Sequence, residues 1–144
     1  MMKRVMGLDL GSRTCGIAVS DALGIAHGRE NYRFLDGAYK QVLAYVSEYL
    51  KKEGITVVAL GYPLNMDGSK GESAIRSERF KEQLLEVDPN LKIFLVDERL
   101  TTVMANRSML EADISRGKRH KVIDQQSAVI ILESFLNSPE SKNL

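Results

Sequence analysis

Only one cysteine, Cys15, occurs in the 144 residues, which excludes an internal disulfide framework and fits a reducing compartment. Standing at a turn or strand start, Cys15 reads as a small apolar residue rather than a nucleophile. Histidine is almost as scarce. His27 and His120 have no evident partners along the chain, which argues against a zinc site or a histidine-based mechanism. Surplus charge is missing too: 20 Lys and Arg against 19 Asp and Glu leave a formal +1. No global field therefore favours nucleic acid, and any basic footprint must be local. No apolar stretch is long enough to span a bilayer. The apolar run after Lys3-Arg4 is interrupted by Asp9 and Arg13 too early for a secretion signal. A cytoplasmic protein without a membrane partner is the expectation.

With 44% hydrophobic and 27% charged residues, the composition is that of an ordinary globular domain. The length suits one domain with a real core, and neither a repeat nor a linker divides it. Met2 to Leu10 reads as a first strand, Gly11 to Thr14 as a turn, and Gly16 to Ser20 as a second strand. So short a link permits only an antiparallel hairpin. Ile25 to Phe34 reads as a third, less apolar strand nearer an edge. Ala38 to Lys52 is helical by pattern, with Tyr39, Val42, Leu43, Val46, Tyr49 and Leu50 on one face and Gly54 as the stop. A strand over Ile55–Leu60, a loop over Gly61–Gly71, a helix over Glu72–Val87 and a buried strand over Ile93–Val96 follow. Thr101 looks like the N-cap of a helix to about Ala112, Asp113 to Lys121 is polar, and Asp124 to Leu136 is a last helix. This order predicts an α/β three-layer domain, a mixed five-stranded sheet flanked by helices. A dinucleotide-binding fold is excluded, because no helix separates the first two strands and no GxGxxG follows the first.

Three acidic positions stand out. Asp9 closes the apolar run Val5-Met6-Gly7-Leu8, where a carboxylate is costly unless a turn or a cation meets it. Asp97-Glu98 closes the last strand. Asp124 heads the face made by Ala128, Ile131, Leu132 and Phe135, so its helix directs it at the sheet; an N-terminal cap is the alternative reading. Parallel strands would bring these groups to one rim. Each close carboxylate pair costs about 1 kcal/mol in water and about 4 at an effective dielectric of 20. Oxygen donors without His or Cys suit Mg²⁺ or Mn²⁺, and two such ions can activate water and stabilise the leaving oxygen of a phosphodiester.

Gly7-Leu8-Asp9-Leu10-Gly11-Ser12, Gly61 to Ser69, Asp97 to Thr102 and Lys121-Val122-Ile123-Asp124 occur in that order. Together they resemble the YqgF family of Holliday-junction resolvases, also described as pre-16S rRNA processing nucleases, over Met6 to about Leu136. The resemblance implies a ribonuclease-H-like nuclease domain over 1–137 with a flexible tail over 138–144. It carries the family's acidic positions onto Asp9, the Asp97-Glu98 pair and Asp124, as catalytic residues. Asp9, Glu98 and Asp124 are the expected metal ligands, with Asp97 holding the neighbouring loop. Gln125-Gln126-Ser127 departs from the small residues usual after that last Asp.

Nucleic-acid contacts are expected from the loop Asn65 to Gly71, through Asn65, Lys70 and backbone N–H groups; a plain Asp-Gly turn would need nothing more. Arg116-Gly117-Lys118-Arg119-His120-Lys121 is the one dense basic run, and Arg116, Lys118, Arg119 and Lys121 fit phosphate contacts. Arg13 fits the same role, and Arg99 either that role or a pairing with a carboxylate of the cluster. The expected partners are precursor rRNA or branched DNA, with ribosomal precursor particles, for a monomer or weak homodimer. A non-catalytic RNA-binding assembly factor is the second reading. An ATP-binding domain of the actin, sugar-kinase and Hsp70 type is the third, although such proteins use two domains around the nucleotide.

Overall fold

The computed structural model describes residues 2–100 and 127–144. The expected helix from Thr101, the basic run and Asp124 lie outside the described residues. The strands are β1 (Val5–Leu10), β2 (Thr14–Ser20), β3 (Ala26–Arg33), β4 (Val57–Tyr62) and β5 (Lys92–Asp97). Helices α1 (Tyr39–Glu53) and α2 (Glu72–Val87) flank β4 in the chain, and residues 127–136 are helical, α3. The sheet order is β3-β2-β1-β4-β5. β1 pairs antiparallel with β2, and β2 with β3; β1 with β4 and β4 with β5 are parallel. This is the mixed sheet that the pattern predicts, with most element ends moved by one to three residues.

Strand alternation divides the sheet into two faces. On one, Met6, Leu8, Ile17, Val19, Val58 and Leu60 pack with Val42, Val46 and Leu50 of α1 and with Phe80 and Leu84 of α2. Each such side chain contributes roughly 1.5–3 kcal/mol on burial. The other face is built from small residues. Val5, Ala18, Val57 and Ala59 meet Ala128, Ile131, Leu132 and Phe135 of α3, the four positions expected on the buried side of that helix. A methyl group placed on Gly7 would lie 2.7 Å from Leu132 Cβ and 2.8 Å from the Ala128 carbonyl oxygen. Glycine there lets the helix axis approach the strand closely.

Loop chemistry fixes where the helices begin and end. Gly54 adopts φ +68 and its N–H reaches the carbonyls of Leu50 and Lys51, the left-handed cap that a β-carbon would disfavour. At the far end, residues Pro139–Asn143 form a 3₁₀ turn, and Leu144 packs on the α3 side of the sheet.

Candidate active site

Because β1, β4 and β5 run parallel, their carboxyl ends share one rim of the sheet. Asp9 lies on β1 one residue beyond the Leu8–Leu60 pair, so its neighbour on β4 is Gly61. Parity then sets direction. Val5 and Gly7 face α3, and Asp9 continues that series. On β5, Ile93 and Leu95 face α1 and α2 whereas Phe94 and Val96 face α3. Asp97 therefore follows the α1/α2 face and Glu98 the α3 face.

Asp9 is 8% exposed and Glu98 only 1%. Glu98 opens a short 3₁₀ turn, Glu98–Leu100, and its carboxylate lies over Gly61. A methyl on Gly61 would come 3.2 Å from Glu98 Oε1 and 2.6 Å from Ile131 Cδ1. Gly61 is thus a floor on which a carboxylate and α3 both rest. In the sequence it ends an apolar run and opens the motif Gly61 to Ser69, and neither mark shows what rests on it.

Asp97, one residue away, is used differently. Its Oδ1 accepts the Arg99 backbone N–H at 2.9 Å, and its Oδ2 accepts Arg99 Nη2 at 2.8 Å. The guanidinium, foremost through that hydrogen bond, holds the Asp97 carboxyl below the usual carboxylate range. The same Arg99 donates Nη1 to the Met66 carbonyl at 3.4 Å and lies against Gly68. Asp97 and Arg99 together clasp the loop 63–71 to the end of β5. The pairing of Arg99 with a carboxylate, one of its two expected roles, is present as the Asp97 contact.

That loop is closed by its own chemistry. Asn65 N–H bonds the Ser69 carbonyl at 3.0 Å and Gly68 N–H the Asn65 carbonyl at 2.8 Å, while Asn65 Nδ2 donates to Ser69 Oγ at 2.9 Å. Gly68 adopts φ +86, as the Asp-Gly turn requires. Lys70 forms a 2.8 Å ion pair with Glu78, whose carboxylate also accepts the Tyr62 hydroxyl at 2.7 Å. The Lys70 ammonium, then the Tyr62 hydroxyl, lower the Glu78 carboxyl, and Glu78 in turn raises both partners. Glu78 was not singled out from the sequence, since no motif links it to Lys70. Arg13, 74% exposed, stands at the β1–β2 turn, 3.7 Å from Asp36.

The structure thus brings Asp9 and Glu98 to one rim and one face, with Asn65 and Lys70 in the adjoining loop and Asp97 and Arg99 at the end of β5 holding it. Asp124, Arg116, Lys118, Arg119 and Lys121 lie outside the described residues. Among the described residues, no three His, Cys, Asp or Glu side chains group closely enough to hold a metal ion. The two buried carboxylates supply oxygen donors only, the chemistry that suits a hard divalent cation. Among the described residues no helix is long and apolar enough to cross a membrane.

Residues 3–138 match the profile of a family described as RuvX, Holliday junction resolvase. A protein of Staphylococcus carnosus, named "Putative pre-16S rRNA nuclease", is 43% identical over 136 residues, covering 94% of this chain and 96% of its own length. One of the same name from Halalkalibacterium halodurans is 44% identical over 140 residues, covering 96% and 99%. Among solved structures, Thermus thermophilus RuvC in complex with a Holliday junction substrate superposes with a TM-score of 0.56 at 14% identity, over 92% of this chain and 94% of the other. RuvC alone gives 0.58, over 92% and 93%. That likeness is one of fold, and it is a ribonuclease-H-like fold.

Proposed function

The chain belongs to the RuvX Holliday junction resolvase family, and from that premise we propose that it is a metal-dependent nuclease trimming the 5′ end of precursor 16S rRNA. The observation that carries this reading is the pair of buried carboxylates, Asp9 and Glu98, on the rim where β1, β4 and β5 end. Asp124, four residues before Ala128 in the sequence, is the proposed third acid. The relatives named as pre-16S rRNA nucleases favour an RNA substrate, and the family description keeps branched DNA as the second substrate class.

Asp9, Glu98 and Asp124 would hold one or two Mg²⁺ or Mn²⁺ ions. Such ions, when bound, lower the pKa of a water and neutralise charge on the leaving oxygen. The protein's own share is orientation. Gly61 lets Glu98 and Ile131 of α3 settle against β4, and Gly16 is the register partner of Asp9 on β2, so glycines flank both carboxylates where the strands end. The Asp97–Arg99 clasp holds the adjoining loop, with Lys70 beside it, at the mouth. Arg13, Arg116, Lys118, Arg119 and Lys121 would contact phosphates of the flanking strands, adding affinity and salt dependence rather than rate.

The test is hydrolysis in Mn²⁺ of a precursor-rRNA 5′ end and of a four-way DNA junction, with parent protein, Asp9→Asn and Asp124→Asn. The parent should cut the RNA, and each variant should lose at least about 100-fold with its fold intact. Variants that cut as fast as the parent would refute the site, and a parent that cuts only the junction would move the substrate to DNA.

A further inference from the structure

On the side of the sheet away from Glu98, a groove of about 520 Å³ opens between the start of α1 and the first three turns of α2. Its volume is that of a site for a small organic group rather than for water. Its apolar wall is made by Tyr39, Ile75 and Phe80, and its polar groups include Arg76, Arg79 and Glu72. The Arg76 guanidinium lies over the Tyr39 ring, 5.7 Å from its centroid. Neither Arg76 nor Arg79 is ion-paired among the described residues. Glu72, in the first turn of α2, is the one acid in the wall among the described residues, and it complements the helix dipole there.

The groove begins at the catalytic rim. α2 starts directly after the loop 63–71. Gly37, two residues before α1, donates its N–H to the Ser12 carbonyl at 3.2 Å in the β1–β2 turn. That turn follows Asp9 and carries the exposed Arg13. The starts of α1 and α2 thus both stand at the rim where β1 and β4 end.

Resting on the nuclease reading, we propose that this groove takes the single-stranded segment flanking the scissile bond, with one unstacked base against the Tyr39–Arg76 stack and its phosphates on Arg76 and Arg79. The chemistry matches on both counts. Aromatic and guanidinium planes accept any base face without reading its edge, and two cations that pair with no acid among the described residues match a polyanion. A paired helix keeps its base faces stacked and offers none to the wall, so the groove selects single strand over duplex. It is a binding and specificity site, separate from the acids.

Binding of a fluorescent uridine oligonucleotide and of a duplex of equal length should be followed by anisotropy in EDTA, where nothing is cleaved. Arg76→Ala/Arg79→Ala should lower single-strand affinity about 10-fold and flatten its log K against log salt slope by about 1.4, near 0.7 per lost phosphate contact. Duplex affinity should change less than about 2-fold. Arg76→Lys/Arg79→Lys should keep the slope but not the full affinity, because lysine carries the charge without the plane. Irradiation of a 4-thiouridine oligonucleotide should label the peptides carrying Tyr39 and Ile75 to Arg79. A parent that binds single strand with both slope and affinity unchanged in the alanine variant overturns the groove and leaves the nuclease reading standing. A parent that binds no nucleic acid overturns both. Loss of self-association in the alanine variant, with single-strand affinity unchanged, assigns the groove to a second copy of the chain and overturns the proposal.

Discussion

The two faces of one sheet are built on opposite plans. Beneath α1 and α2 the strands present Met6, Leu8, Ile17, Val58 and Leu60, all fully buried, and nothing on that face but packing is required of them. Beneath α3 the same strands present Gly7, Ala18, Ala59 and Gly61, and the series ends in Asp9 and Glu98. Stability is concentrated on the first face. On the second, small residues bring a helix near enough to border buried carboxylates. Because strand residues alternate, one set of strands serves both plans without either disturbing the other.

The sharpest way to break that contrast is to change volume in opposite senses. Leu60→Ala on the large-residue face should cost about 2–5 kcal/mol through lost transfer energy and a cavity. Gly7→Ala on the small-residue face should cost about 1–3 kcal/mol although it adds apolar surface, because the new methyl meets Leu132 Cβ and a backbone carbonyl that cannot yield. Urea denaturation measures both. A neutral Gly7→Ala would mean that α3 stands further from β1 than the structure has it.

Much of this was legible in the sequence, and the exceptions have physical causes. The spacing of Ala128, Ile131, Leu132 and Phe135 gives the buried side of α3, and Gly54 gives the end of α1, because helical period and left-handed caps leave local marks. Ribonuclease-H-like topology follows from element order and the family motifs. The orientation of Asp97 against Glu98 is hidden, since Ile93, Phe94, Leu95 and Val96 are apolar on both faces and so carry no parity. Arg99 offers two partners, and only the register of β5 against the loop 63–71 selects Asp97. Arg76 and Arg79 carry no mark in the sequence, because a cation in a groove and a solvated cation look alike along a helix. Asp124 and the basic run Arg116 to Lys121 remain expectations resting on motif and spacing.

A smaller effect separates the faces by pH. On the α1 side, the Tyr45 hydroxyl donates to the Glu30 carboxylate, and this bond, then burial, push the phenol up to about 12. A raised value means stability present below the ordinary tyrosine range near 10 and lost as pH rises from about 10 to 12. Thermal melts across that window should fall for the parent and less steeply for Tyr45→Phe, which at neutral pH costs about 1 kcal/mol. Parallel curves would exclude the bond as the cause.

The smallest effect belongs to the loop clasp. Asp97 is held low by Arg99, so its contribution is present above the ordinary aspartate value of about 3.9 and is lost as pH falls through the lowered value. Arg99→Ala should leave the global unfolding midpoint nearly unchanged, as loss of a partly exposed pair does. The local readout is larger: amide exchange at Gly68 should accelerate several-fold while the β1 amides stay protected. Equal acceleration in both places would show that Arg99 supports the whole fold and not the loop alone.

The neighbouring carboxylates decide the central claim, that the acids of the α3 face act on substrate while their neighbour on the other face only holds a loop. The direct measurement is kcat/KM for precursor-rRNA cleavage by Glu98→Gln and Asp97→Asn, side by side. Glu98→Gln should fall at least about 100-fold, about 2.7 kcal/mol of transition-state stabilisation. Asp97→Asn should stay within about 10-fold, since it keeps the shape of the clasp. The reverse order, with Asp97→Asn the more damaging, would contradict the division between the two faces.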